Sequence, residues 1–270
     1  MDWAKAGGKM LGDFLEEPQG YFEADAQRST VEHRREGKEG RGTVVELQLI
    51  PRHSLWAHCL WSGGKAVARW MDGELDNDES SEGRTCGRLD VVGKAVLDLG
   101  AGAGLTSIVA ALNGAARVVA TDYPESAILD NLRHNLAHNL ISADATSVTS
   151  VEGHLWGDER LPSPGVGAFD VVIMADVLAN HSAHRGLARS CARALKPRTG
   201  VGYVAFCHHR PWLAHKDLEF FDVALHEFGL VSAPLFDLAM DPMFRDDPGS
   251  LDVRSHVFVR SLVYSPPQHD

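Results

Sequence analysis

Between Asp98 and Asp122 the chain carries Gly100, Ala101, Gly102, Ala103 and Gly104, a run of small residues with an acid on either side. Such a turn brings backbone N–H groups close to a phosphate or carboxylate, so by itself it suits several ligands. The two acids narrow the choice. A dinucleotide fingerprint, G-x-G-x-x-G, would place its third glycine where Leu105 stands, one position past Gly104. A carboxylate at Asp98 would also repel a pyrophosphate, whereas it attracts an ammonium. S-adenosylmethionine carries an ammonium and a sulfonium, and Asp122 is placed to accept hydrogen bonds from two ribose hydroxyls, as acids at the end of a second strand do in nucleotide folds. The expected cofactor is therefore S-adenosylmethionine; a bare strand-to-helix turn is the plainer alternative.

A second group of reactive residues, Asp176, Asn180 and His181, follows the apolar run FDVVIMA at Phe169 to Ala175. Ligands of open α/β sheets bind beyond the carboxyl ends of the strands, which puts these three near the reacting methyl group. If the acceptor is an amine, it must be a neutral nucleophile aligned behind the S–CH3 bond, so proximity, orientation and removal of water carry the catalysis. Asp176 is read as the group that holds or deprotonates the ammonium. Asn180 and His181 orient it, or His181 carries the proton to solvent, histidine being the side chain that titrates near neutrality. Trp156, in EGHLWG, lies in a loop where an aromatic ring can stack on a base, with packing as the alternative. His134 and His138 have a helical metal spacing but no third ligand nearby, and His208 and His209 could join His181 and His184 around an ion. Transfer from a sulfonium requires none, and no metal is expected. Asp241, Asp246, Asp247 and Asp252 lack the order of a calcium loop and read as a solvated turn.

The elements that must hold these groups follow from periodicity. Ala95 to Leu99 and Arg117 to Thr121 read as buried strands joined by a crossover helix, a β-α-β unit. Further strands are expected at Thr43 to Leu49, Ser147 to Val151, Phe169 to Ala175, Gly200 to Cys207, Leu230 to Leu238 and His256 to Tyr264, the last two as an antiparallel hairpin closing the sheet. Helices are expected at Leu55 to Met71, Pro124 to Leu140, Ser182 to Leu195 with Ser182 as cap, and Lys216 to Phe228. Asp76 to Arg88 reads as a polar loop. Residues 1–42 are too polar to offset chain entropy and are expected to be a mobile extension, with Phe14, Leu15, Tyr21 and Phe22 as docking candidates. Residues 43–270 then form one domain.

The formal net charge of −11 argues against nonspecific nucleic-acid or anionic-membrane binding and allows a basic protein partner. Cys59, Cys86, Cys191 and Cys207 lack CxxC spacing and read as reduced packing cysteines. No apolar run approaches the ~18 residues of a membrane span, and the first twenty residues lack a signal core, so the expected location is cytosolic (cytoplasmic).

From about Leu11 to Ser265 the chain resembles the fungal nicotinamide N-methyltransferase-like group within the methyltransferase-21-like enzymes. The likeness is carried by LWAHCLW at Leu55, VLDLGAGAGL at Val96, ALNGA at Ala111, VVATDYP at Val118 and DNLRHN at Asp130. HLWG at His154, NHSAH at Asn180, HRPW at His209 and DPMFRDDPG at Asp241 extend it. The glycine motif is common among methyltransferases; the NHS, HRPW and DPMF segments are more specific. The resemblance implies an α/β fold, the Rossmann-like seven-stranded class I methyltransferase fold, mostly parallel with an antiparallel C-terminal hairpin. It implies that Trp61, Gly100, Ala101, Gly102, Asp122, Trp156 and Ala175 surround S-adenosylmethionine, beside Asp98 read above as the partner of its ammonium; the donor leaves as S-adenosylhomocysteine. It also implies a substrate like elongation factor 1-alpha, methylated at its N-terminal glycine and the adjacent lysine. Asp98 departs from the group's usual glutamate, and Ala179 from a larger apolar residue. These departures keep a second acceptor open, a small amine or hydroxyl compound such as a nicotinamide-like ring, and beside it a cofactor-binding protein without activity.

Overall fold

The computed structural model describes residues 28–36, 42–51, 55–77, 87–141, 143–244 and 247–265. Seven strands make one sheet: β3 (Ala95–Leu99), β4 (Arg117–Asp122), β5 (Thr149–Gly153), β6 (Val171–Ala175), β7 (Val201–Phe206), β8 (Leu230–Ala239) and β9 (His256–Tyr264). Their order is β5-β4-β3-β6-β7-β9-β8. The first five run parallel, and β9 lies antiparallel between β7 and β8. The expected closing hairpin is therefore present.

Alternation along each strand divides the core. Val96, Val118 and Ile173 face the cluster that includes α1 (Ser62–Met71) and α2 (Leu105–Leu112). Leu97, Val119 and Met174 face the opposite cluster, with α5 (His184–Ala194) and α6 (Ala214–Phe228). Because both faces are covered, the central strands are apolar at nearly every position. Each fully buried Leu or Ile contributes about 1.5–3 kcal/mol, which fixes the strand ends from which the site projects.

Several boundaries differ from expectation. The helix expected from Leu55 begins only at Ser62, because Trp56 adopts a left-handed φ of 57° and Trp61 is extended, with ψ at 149°. The strand expected from Ser147, β5, starts at Thr149 because a short helix, α4 (Ala143–Ser147), precedes it. Ser182 does not cap α5. It sits in a 3-10 turn, His181–Ala183, and its hydroxyl donates to Asn180 Oδ1 at 2.9 Å. Residues 1–27, with Phe14, Leu15, Tyr21 and Phe22, and residues 78–86 of the polar loop lie outside the described residues.

Within the stretch expected to be mobile, Ser29–Arg34 forms β1, antiparallel to β2 (Val44–Leu49). The hairpin is fastened from two directions. Arg35 donates to both oxygens of buried Asp72, at 2.9 and 2.6 Å, and to Asn113 at 3.1 Å. Along the other edge of β2, α3 (Ser126–Asn139) presents asparagines that take the place of a missing strand. Asn135 exchanges hydrogen bonds with the Gln48 N–H and C=O at 2.9 Å each, Asn139 does so with Glu46 at 3.0 and 2.8 Å, and Asn131 donates to the Gln48 carbonyl at 2.8 Å. Composition did not reveal these partners, which lie tens of residues away.

Candidate functional site

The turn after β3 is set by its backbone. Gly100, Gly102 and Gly104 all have positive φ, at 86°, 56° and 90°. A Cβ at Gly100 would meet Val177 Cγ1 at 2.8 Å and Trp156 Cζ2 at 3.1 Å, so a larger residue there is excluded by packing as well as by conformation. At Gly102 the same direction is open, with nothing within 4 Å. The N–H groups of Gly100 and Ala101 donate to the Thr121 carbonyl at 2.9 and 2.8 Å, and the Gly102 N–H donates to Asp122 Oδ2 at 2.7 Å. Asp122 Oδ1 accepts from the Tyr123 N–H at 2.7 Å. Asp122 is half-buried, and its carboxylate oxygens act only as acceptors.

Asp98 is fully buried. Its Oδ2 accepts from the hydroxyls of Thr106 and, at 2.7 Å, Ser107, while its buried Oδ1 has no partner among the described residues. Burial raises its pKa from 3.8 to about 6; the two hydroxyls oppose the rise and the charge of Asp122 adds to it. Buried polar atoms are nearly always satisfied. An orphaned carboxylate oxygen under a glycine turn thus fits a ligand that brings its own cationic donor, and the open space at Gly102 fits that ligand's passage.

The Trp156 loop is anchored to α5. Ser190 Oγ accepts from the Gly157 N–H at 2.9 Å and lies 2.8 Å from His154 Nε2, and Arg189 donates to the Gly157 carbonyl at 2.6 Å. Burial lowers the pKa of His154. Trp156 is thereby held over Gly100 from one side as Val177 is from the other.

Beyond β6 the acids and histidines divide into two networks. Asp176, next to Ala175 at the strand end, has a left-handed φ of 54°, uncommon for a residue other than glycine. Its side chain is 0% exposed. Oδ2 accepts from the Gly63 N–H at the start of α1, while Oδ1 accepts from the Cys207 N–H at 3.1 Å and lies 3.2 Å from His209 Nε2. Burial, first, and the neighbouring Asp176 push the Cys207 thiol well above its ordinary range. The donor atoms of Asp176, Cys207 and His209 lie within 4.8 Å of one another, close enough to share an ion, but the carboxylate already serves these hydrogen bonds.

The second network centres on Asp217, in the first turn of α6. Its Oδ1 lies 2.7 Å from His181 Nε2 and its Oδ2 2.8 Å from His208 Nδ1. His184 turns away, its Nε2 2.7 Å from the Leu178 carbonyl. The four histidines considered together from sequence are thus dispersed. His208 and His209, adjacent in the loop after β7, go to different carboxylates. Nor are Asp176, Asn180 and His181 joined to one another: Asn180 bonds Ser182, and His181 bonds Asp217.

Trp61 belongs to an aromatic wall at the start of α1. Its ring lies 4.9 Å from His209, 6.1 Å from Trp56 and 6.0 Å from Phe244, centroid to centroid. Phe244 comes from the segment after β8, which no local pattern connects with Trp61. The sequence reading also missed Asp217, which resembles any acid in a helix's first turn; its partners are 36 and 9 residues away. Among the described residues no helix is long and apolar enough to cross a membrane.

Residues 52–227 match a family model described as lysine methyltransferase. The chain is 38% identical over 250 residues to protein N-terminal and lysine N-methyltransferase efm7 of Schizosaccharomyces pombe, covering 90% of this chain and 91% of that one. It is 35% identical over 260 residues to the Eremothecium gossypii protein of the same description, covering 92% of each. Among solved structures, PH1948 from Pyrococcus horikoshii superimposes with a TM-score of 0.53 at 18% identity, over 83% of this chain and 93% of that one. TYW2 of the same organism gives 0.52 at 17%, over 87% and 72%. These two likenesses show the fold, a class I methyltransferase sheet. With the family model matching most of its length, the chain belongs to the lysine methyltransferase family and is a methyltransferase.

Proposed function

We propose that this methyltransferase moves the methyl group of S-adenosylmethionine to protein amines, namely the N-terminal amine and a nearby lysine of elongation factor 1-alpha, in the cytoplasm. The donor assignment is carried by one observation, the buried Asp98 Oδ1 that lacks a partner among the described residues, beneath an open glycine turn. The acceptor class is supported by the names of the relatives that match nine-tenths of the chain. The finer choice of elongation factor 1-alpha rests on the sequence resemblance.

When bound, the donor supplies an electrophilic methyl on a sulfonium. Asp98 holds its ammonium, Asp122 its ribose hydroxyls, and Gly100, Ala101 and Gly102 line its path. Trp156 flanks the base. Ala175 and Trp61 border the methyl, where the aromatic wall favours a cationic group. Asn180 and His181 receive the acceptor amine, and His181 takes its proton. Asp176 is enclosed by its own hydrogen bonds, so it acts on the amine through His209 rather than by contact.

The test uses the purified chain, labelled S-adenosylmethionine and elongation factor 1-alpha with a free or an acetylated N-terminus. Label on the free N-terminal amine and the adjacent lysine, located by mass spectrometry, is expected. Label confined to small molecules from a lysate would refute the acceptor. No binding of S-adenosylmethionine or S-adenosylhomocysteine in calorimetry would refute the donor.

A further inference from the structure

Both oxygens of Asp217 are occupied by ring nitrogens from opposite sides, His181 Nε2 at 2.7 Å and His208 Nδ1 at 2.8 Å, and its side chain is only 7% exposed. An ionised carboxylate accepts only, so each of these nitrogens carries a proton; a neutral imidazole has one N–H, so its other nitrogen is then a lone-pair acceptor. The two rings differ in their surroundings. His208 is 8% exposed and lies 5.4 and 5.3 Å from the Phe206 and Phe258 rings. The His181 side chain is 20% exposed, immediately after Asn180 beyond β6.

We infer that Asp217 is the positioning residue for His181, holding it as the Nε2–H tautomer so that Nδ1 can take a proton from the incoming ammonium, with His208 bracing the carboxylate. This inference rests on the amine-methylating reading above. The ammonium N–H bond breaks and its proton goes to His181 Nδ1, leaving a neutral amine. The amine lone pair then forms the N–CH3 bond while the S–CH3 bond breaks with its electrons on sulfur, giving a methylammonium and a neutral thioether. The imidazolium formed faces the Asp217 carboxylate until it releases the proton to solvent. The other charged or titratable groups around this network are His184 on α5, Arg210 in the loop after β7 and Glu219 on α6; β9 contributes the apolar Phe258 ring.

The experiment compares full-length wild type with Asp217→Asn, Asp217→Glu and His181→Ala, recording kcat against pH, KM for S-adenosylmethionine and thermal midpoint. Asp217→Asn should lower kcat by about 10²-fold, the scale of a lost general base. KM for the donor should change by less than about twofold, and Asp217→Glu should restore most of the lost turnover. Wild-type turnover in Asp217→Asn alongside an inactive His181→Ala overturns the assignment of Asp217 alone. Wild-type turnover in His181→Ala overturns the role of His181 on which it rests. Should Asp217→Asn not fold, nitrogen-15 shifts of the wild-type His181 ring remain decisive: a proton on Nδ1 and none on Nε2 refutes the inference.

Discussion

At the carboxyl ends of β3 and β4 the site is built largely from neighbours in the chain. Three consecutive backbone N–H groups, those of Gly100, Ala101 and Gly102, tie the turn to Thr121 and Asp122. At the ends of β6 and β7 the groups come from far apart: Asp176 gathers Gly63, Cys207 and His209, and Asp217 gathers His181 and His208. The first arrangement lies within one β-α-β unit, and in the proposed reading its acids serve the donor. In the second, the acids are spent on holding other side chains. A carboxylate deleted from the first should cost binding, and one deleted from the second should cost stability or turnover.

The sharpest test of that contrast is Asp122→Ala. Each hydrogen bond to a charged group contributes about 1.5–3 kcal/mol, so losing two to the ribose should weaken S-adenosylmethionine by about 10²-fold or more in calorimetry, beyond the fall in denaturant midpoint that loss of the Gly102 and Tyr123 N–H bonds brings. Equal affinity in the two proteins would break the comparison at its donor end. Asp176→Ala should behave in the opposite way. Removing one partner from a buried set of charged hydrogen bonds costs about 3 kcal/mol, to be read as a lower urea midpoint, while donor affinity stays near that of the wild type. A variant as stable as the parent would show that Asp176 is not the clasp between α1 and β7.

The smallest effect is a pH dependence at Asp98. With its pKa raised by burial from 3.8 to about 6, the folded chain keeps a proton in that window that the unfolded chain has released. The stabilisation from this group is therefore full below 3.8 and is lost as the pH rises through about 6. A cationic ligand has the reverse requirement. Its affinity should rise about tenfold per pH unit up to that value and then level off, and Asp98→Asn should flatten the curve. A flat wild-type curve between pH 5 and 7 would separate Asp98 from the ammonium.

This contrast also explains what could be foreseen. Gly100 to Gly104, Asp98 and Asp122 stand within one β-α-β unit, where spacing along the chain is nearly spacing in space. The antiparallel β8 and β9 were legible from their apolar runs. His208 and His209 were not, because adjacency in sequence concealed their divergence to two different carboxylates. Asp217 carried no sign of its partners, since nothing in LAHKDLEFF points to a histidine 36 positions earlier. The left-handed turn at Trp56 was likewise invisible, as tryptophan is an improbable residue for it.

The asparagines of α3 bear on how the protein behaves in a crowded solution. An unpaired strand edge invites another chain to add to it, a route to aggregation. By meeting the Glu46 and Gln48 backbone with amide groups, the helix denies that edge of β2 to strangers while adding no further strand. Replacing those amides with leucine would keep the bulk and reopen the edge.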